Sequence, residues 1–206
     1  MYIALEGIDG SGKSTIAKVL AKKYADAEFI REPGTTKFGE EMRTVLFNNV
    51  ETVNSPIAIQ IGMLAISADL RKFIEKRPFV IADRCFLSAC YCKDLVEEMD
   101  VREWLKLSLN YVAIPDMIIY LDISADTSIS RLSNRKTIEA FDSFKKEEIQ
   151  GRIDAYKKWI KICKEEYCIP IYSVDANKSI KEVTDEITNL IETNRETKQC
   201  QRKASS

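Results

Sequence analysis

The chain has 206 residues, 31 Lys and Arg against 32 Asp and Glu, and a net charge of -1, so nothing global draws it to nucleic acid or to an anionic membrane. A 45% hydrophobic content is ordinary for a single globular domain with a full core, and no apolar run approaches the roughly 20 residues needed to cross a bilayer. Histidine is absent, which excludes Ser-His-Asp and Cys-His nucleophiles and His-ligated metals.

Six cysteines occur without a C-x-x-C pair or zinc spacing. They read as free thiols in a reducing cytosol. The apolar start, with no basic leader before it, gives no signal peptide.

Met1–Leu5 is a short apolar run that reads as a buried strand. It leads into Gly7-Ile8-Asp9-Gly10-Ser11-Gly12-Lys13-Ser14, which fits a glycine, four free positions, then Gly-Lys-Ser/Thr. Ser14 to Lys23 follows with helical apolar spacing. Strand, glycine-rich loop and helix are the setting this motif requires. Backbone amides and the positive helix end form an anion cup. In it Lys13 reaches the β- and γ-phosphates of a nucleoside triphosphate and the Ser14 hydroxyl ligates Mg²⁺.

Ala27–Ile30 reads as a second strand ending in the turn Arg31-Glu32-Pro33-Gly34-Thr35-Thr36. Strand carboxyl ends hold ligands in parallel α/β sheets, so Arg31 is placed either to meet a second anion or to be a solvated surface cation. Phe38–Phe47 is helical, with Arg43 projecting from it. Ser55-Pro56 starts an apolar helix that runs to about Phe73. Phe79–Ala82 is a buried strand ending at Asp83-Arg84. Asp83 can hold Mg²⁺ directly or through water, and Arg84 can clamp a phosphate. Alternatively the pair only orders its loop.

Asp94–Leu109 reads as an amphipathic helix and Met117–Ile123 as a fourth buried strand. A helix from Asp126 carries Arg131 and Arg135 into a basic stretch at 131–137, read either as a lid over phosphates or as a solvated helix end. A long helix covers Ser143–Tyr167, Ile169–Val174 is the fifth strand, and Ile180 to about Thr193 is the last helix. Residues 194–206 are polar and basic without apolar periodicity and read as a disordered tail. Alternating strands and helices predict an α/β parallel sheet covered on both faces.

The chain resembles thymidylate kinases from residue 1 to about 193. The likeness rests on Glu6-Gly7-Ile8-Asp9-Gly10-Ser11-Gly12-Lys13-Ser14-Thr15, on Arg31-Glu32-Pro33-Gly34-Thr35 and on Asp83-Arg84-Cys85-Phe86-Leu87-Ser88. It implies the P-loop NTPase fold of the nucleoside monophosphate kinase type, five-stranded with order 2-3-1-4-5. It implies ATP- and Mg²⁺-dependent phosphorylation of dTMP to dTDP by a cytoplasmic homodimer without a nucleic-acid polymer or membrane partner. The kinase domain would span 1–193, with a lid at about 131–142.

By the same resemblance, residues Gly7 to Thr15 hold ATP, with Ser14 and Asp83 on the Mg²⁺ side. Asp9, Arg31, Arg43, Arg84 and Ser88 meet the acceptor, Asp9 at its 3′-hydroxyl. Lys13, Asp9, Arg84, Arg131 and Arg135 are the catalytic set. Gly10 stands where one branch of the family carries a cradle arginine, which assigns this chain to the branch with lid arginines.

Two segments depart from the family pattern. Cys85 replaces the usual aromatic after Asp-Arg. Ile66-Ser67-Ala68-Asp69-Leu70 stands where the family has Phe-Ala-Ala-Asp-Arg, with Arg71 as a substitute for the base-bonding arginine. A kinase for another nucleoside monophosphate, and a nucleotide-binding protein without catalysis, are the alternatives these departures leave open.

Overall fold

The computed structural model describes residues 1–49, 52–91, 100–134 and 145–204. The order is β1 (Tyr2–Glu6), α1 (Lys13–Lys23), β2 (Glu28–Arg31), α2 (Lys37–Asn48), α3 (Pro56–Glu75), β3 (Val80–Asp83), a 3₁₀ helix (Phe86–Tyr91) and α4 (Val101–Ser108). Then come β4 (Met117–Asp122), α5 (Ala125–Ser133), α6 (Lys146–Tyr167), β5 (Ile171–Asp175) and α7 (Ile180–Ala204).

Among the described residues the strands form one five-stranded sheet in the order β2-β3-β1-β4-β5, as the resemblance implied. All pairings are parallel: Ile3 sits opposite Ile81 and Met117, and Ile118 opposite Ile171. Every residue of β1 is buried, which requires cover on both faces, the condition parallel sheets need. The core fills around Ile3, Leu5, Phe79, Tyr120, Tyr156 and Trp159. Each strand needs a helical crossover to reach its parallel neighbour. The carboxyl ends therefore gather along one edge, where β1 turns into the glycine loop and β3 into the Asp83-Arg84 segment.

Two elements differ from expectation. Residues 86–91 form a 3₁₀ helix that no periodicity announced. The last helix continues past Thr193 to Ala204, correcting the disordered tail expected from 194. Apolar periodicity stops there, but Arg195 anchors the extension: its Nη2 lies 2.8 Å from Asp26 Oδ2 and its guanidinium packs 4.3 Å from the Phe79 ring centroid. The start of the helix expected from Asp94 and the residues 143–144 of the long helix lie outside the described residues.

No described helix is long and apolar enough to cross a membrane. Cys85, Cys90 and Cys163 are buried free thiols, and Cys168 is an exposed one.

Candidate active site

The glycine loop is shaped by positive backbone angles, with Gly10 at φ 80° and Gly12 at φ 91°, conformations that cost glycine little and other residues more. Gly10 also faces α5 closely: a Cβ there would stand 2.9 Å from the Ser128 carbonyl oxygen. That helix buttresses the loop. Ser128 Oγ donates to the Asp9 carbonyl at 2.7 Å and Arg131 Nη1 to the Gly10 carbonyl at 3.3 Å. Gly12 caps α1, so the free amides of the first helical turn open into the loop. The Ser11 hydroxyl is buried there without a hydrogen-bond partner.

Lys13 is 5% exposed. Its ammonium donates to the Ile8 carbonyl and to Asp9 Oδ1, each at 3.3 Å. Burial, and then the neighbouring Arg84 cation, hold its pKa below the usual lysine value, with Asp9 pulling the other way.

Asp9 is the meeting point of the site. Besides Lys13, Arg84 Nη2 lies 2.8 Å from its Oδ1, and Arg152 Nη1 lies 3.8 Å from its Oδ2. Arg84 comes from the end of β3 in a left-handed conformation, φ 79°, a cost of order 1–3 kcal/mol that surrounding structure must hold in place. Its Nη1 donates to Ser88 Oγ at 3.2 Å. Arg152 comes from α6, and sequence reasoning passed over it, because one basic residue on a charged amphipathic helix carries no motif. Lys13, Arg84 and Arg152 thus converge on one carboxylate beside the glycine loop, and ammonium and guanidinium groups gathered there are of the kind that bind phosphates.

The other expected residues sit in different settings. Asp83 is 3% exposed and its Oδ1 is buried without a hydrogen-bond partner, whereas Ser14 and Thr15 at the head of α1 are exposed. Arg31 is exposed at the end of β2, where Thr35 Oγ1 accepts from its backbone N–H at 2.8 Å. Arg43 donates to the Pro33 carbonyl at 3.2 Å and stacks 4.3 Å from the Phe47 ring centroid, so it braces the turn that follows β2. Arg131 spans the Gly10 and Lys178 carbonyls at 3.3 Å each. That ties it to the cradle side. Arg135 and the remainder of the expected lid lie outside the described residues.

On α3, Ile66 and Leu70 are wholly buried. Arg71 turns away to Glu75, at 2.8 Å, and to the Asn110 carbonyl, at 3.0 Å. None of these three positions sends a stacking ring or a guanidinium to the cation cluster. Between them Ser67 Oγ donates to the Glu32 carboxyl. Burial pushes Glu32 up to about 7, with the Glu6 charge adding to the rise and the Ser67 hydrogen bond opposing it.

The family model for thymidylate kinase matches residues 5–187. The chain belongs to the thymidylate kinase family. A thymidylate kinase of Campylobacter jejuni is 31% identical over 206 residues, covering 93% of this chain and 100% of the relative. The fold matches the thymidylate kinase of Candida albicans with a TM-score of 0.72 at 22% identity, over 94% of this chain and 91% of that one. It also matches a deoxyadenosine kinase of M. mycoides with a TM-score of 0.69 at 23% identity, over 94% of this chain and 100% of that one. Family membership makes the chain a kinase that uses ATP and a nucleoside monophosphate.

Proposed function

We propose that the chain transfers the γ-phosphoryl group of ATP to dTMP, giving dTDP. The observation that carries this reading is the convergence of Lys13, Arg84 and Arg152 on Asp9 at the mouth of the glycine cradle. The transferring group passes through a loose, metaphosphate-like transition state, so positioning and charge neutralisation supply most of the catalysis. The loop from Gly7 to Gly12 and the amides of Lys13, Ser14 and Thr15 grip the donor phosphates. Lys13 follows the β- and γ-phosphates. Arg84, with Ser88 fixing its second nitrogen, holds the acceptor phosphate, and Arg31 and Arg43 belong to the acceptor side. Asp9 keeps the three cations in register before the phosphates arrive. By the family resemblance it also meets the acceptor sugar. Arg152 joins Arg131 and Arg135 as a candidate for neutralising the transferring group.

Mg²⁺ fits this residue set. The unpartnered Asp83 oxygen and the Ser14 hydroxyl are hard oxygen ligands near the cradle. Among the described residues no cluster of three metal-binding side chains exists, which suits an ion that keeps several waters and takes its other ligands from phosphate. Bound there, Mg²⁺ would offset charge on the donor phosphates.

We read the assembly as a homodimer. Phe38, Val45 and Ile61 on α2 and α3 are 45%, 56% and 54% exposed, apolar side chains that a second copy would cover. Sedimentation at micromolar concentration tests this. The buried free thiols fit a reducing, cytoplasmic setting.

The deciding experiment measures ADP formation from ATP with dTMP, dUMP, dGMP, dCMP and dAMP in turn. dTMP gives the highest kcat/KM if the reading is right. Preference for another monophosphate overturns the substrate. Tight ATP binding with no turnover on any of them overturns the transferase reading itself.

A further inference from the structure

Glu6 is wholly buried at the carboxyl end of β1, one residue before the cradle, and no step above uses it. Its Oε1 accepts from the Cys85 backbone N–H at 2.7 Å. Its Oε2 accepts from Ser88 Oγ and from Tyr156 Oη, each at 2.8 Å. A buried carboxylate needs such donors simply to be tolerated. What singles this one out is where the donors lead. Ser88 holds Arg84 at 3.2 Å, and Arg84 reaches Asp9 at 2.8 Å. Tyr156 lies one helical turn beyond Arg152 on α6, and Arg152 approaches Asp9 from the other side at 3.8 Å. The path Glu6–Ser88–Arg84–Asp9–Arg152–α6–Tyr156–Glu6 closes on itself.

We propose that Glu6 and Tyr156 are positioning residues for phosphoryl transfer: the carboxylate fixes the spacing between the guanidinium from β3 and the guanidinium from α6. This rests on the kinase reading above. Three separate elements contribute to the cluster, and residues i and i+4 share one face of a helix. Pinning Tyr156 to β1 therefore sets where Arg152 points. Near-attack geometry is demanding enough that a displacement of about 1 Å can cost on the order of 10²-fold in rate.

The test is a double-mutant cycle read in kcat and KM. Tyr156→Phe keeps the ring in the core and removes the hydroxyl, which donates to Glu6 at 2.8 Å and lies at longer range from the Gly7 carbonyl, at 3.5 Å, and Ser88 Oγ, at 3.4 Å. Glu6→Gln keeps the shape. Its amide nitrogen is repelled by the Cys85 N–H, so it takes the Oε2 side and faces the two hydroxyls that donate there. Tyr156→Phe is expected to lower kcat on the order of tenfold with little change in either KM, because a misplaced Arg152 acts in the transition state. Glu6→Gln lowers kcat further and raises the acceptor KM through Ser88 and Arg84. The double variant loses no more than Glu6→Gln alone. A polar core contact with no part in positioning would move the melting temperature and leave kcat intact.

Wild-type kcat in folded Tyr156→Phe, or losses that multiply independently in the double variant, overturns the inference. If Glu6→Gln fails to fold, Tyr156→Phe and Ser88→Ala form the cycle, and independent losses again overturn it. Wild-type enzyme inert with every monophosphate refutes the kinase reading and takes this inference with it. Active wild type with an equally active Tyr156→Phe refutes only the positioning role.

Discussion

Replacing Glu32 by glutamine is expected to stabilise the protein, and to do so more as pH rises. Glu32 is 8% exposed, and burial lifts its pKa from 4.5 to about 7. The folded state therefore keeps the proton over a range in which the unfolded chain has lost it. Stability contributed by this group is greatest below about pH 4.5, falls as pH rises towards 7, and is flat above. At about 1.4 kcal/mol per pH unit, the cost of holding the ionised carboxylate is about 3 kcal/mol by pH 8. Glutamine carries no such charge, and its carbonyl oxygen can still accept from Ser67 Oγ, so the variant escapes the cost without losing the hydrogen bond. For a chain of this size that corresponds to roughly 6–12 °C in Tm. Urea unfolding of both proteins at pH 5, 6, 7 and 8 measures the difference directly. The gap between them should open across that range. A gap that stays constant with pH, or a variant that loses ground at pH 8, would refute the reasoning.

Lys13→Ala should abolish turnover in a coupled ADP assay while the fold survives, since no other described side chain takes its place inside the loop; wild-type activity would remove Lys13 from the reaction. Arg152→Ala should lower kcat on the order of 10²-fold or more if it neutralises charge in the transition state, with a smaller effect on acceptor KM in steady-state kinetics. Gly10→Ala forces a Cβ to within 2.9 Å of the Ser128 carbonyl at a φ of 80°. It should weaken ATP affinity by calorimetry, and an unchanged affinity would mean the loop can move off α5. Truncation before Arg195 should lower Tm, because that residue joins the last helix to Asp26 and Phe79.

The glycine loop and its setting between β1 and α1 were legible in the chain. Contiguous residues form the cradle, and their spacing, strand and helix are local properties, so Gly7 to Ser14 could be assigned from pattern alone. The alternation of buried strands with helices likewise implied a parallel sheet. Asp83 and Arg84 were singled out because they follow a buried strand, and the structure places both at the carboxyl edge of the sheet. Arg152 was not found, nor were Glu6 and Tyr156 as partners, because β1 and α6 meet only through tertiary packing. Arg71 shows the opposite failure. Its residue type suited the acceptor base, yet the helix phase sends it to Glu75 and Asn110.

By itself the sequence determined the parallel α/β class and the family, because each is written in short-range spacing and the periodicity of buried runs. Only the tertiary structure decided that Lys13, Arg84 and Arg152 meet at Asp9, that the buried Glu6 accepts from Ser88 and Tyr156, and that Arg71 turns to Glu75. Those outcomes depend on helix phase and on approach between distant segments, and no local pattern encodes either.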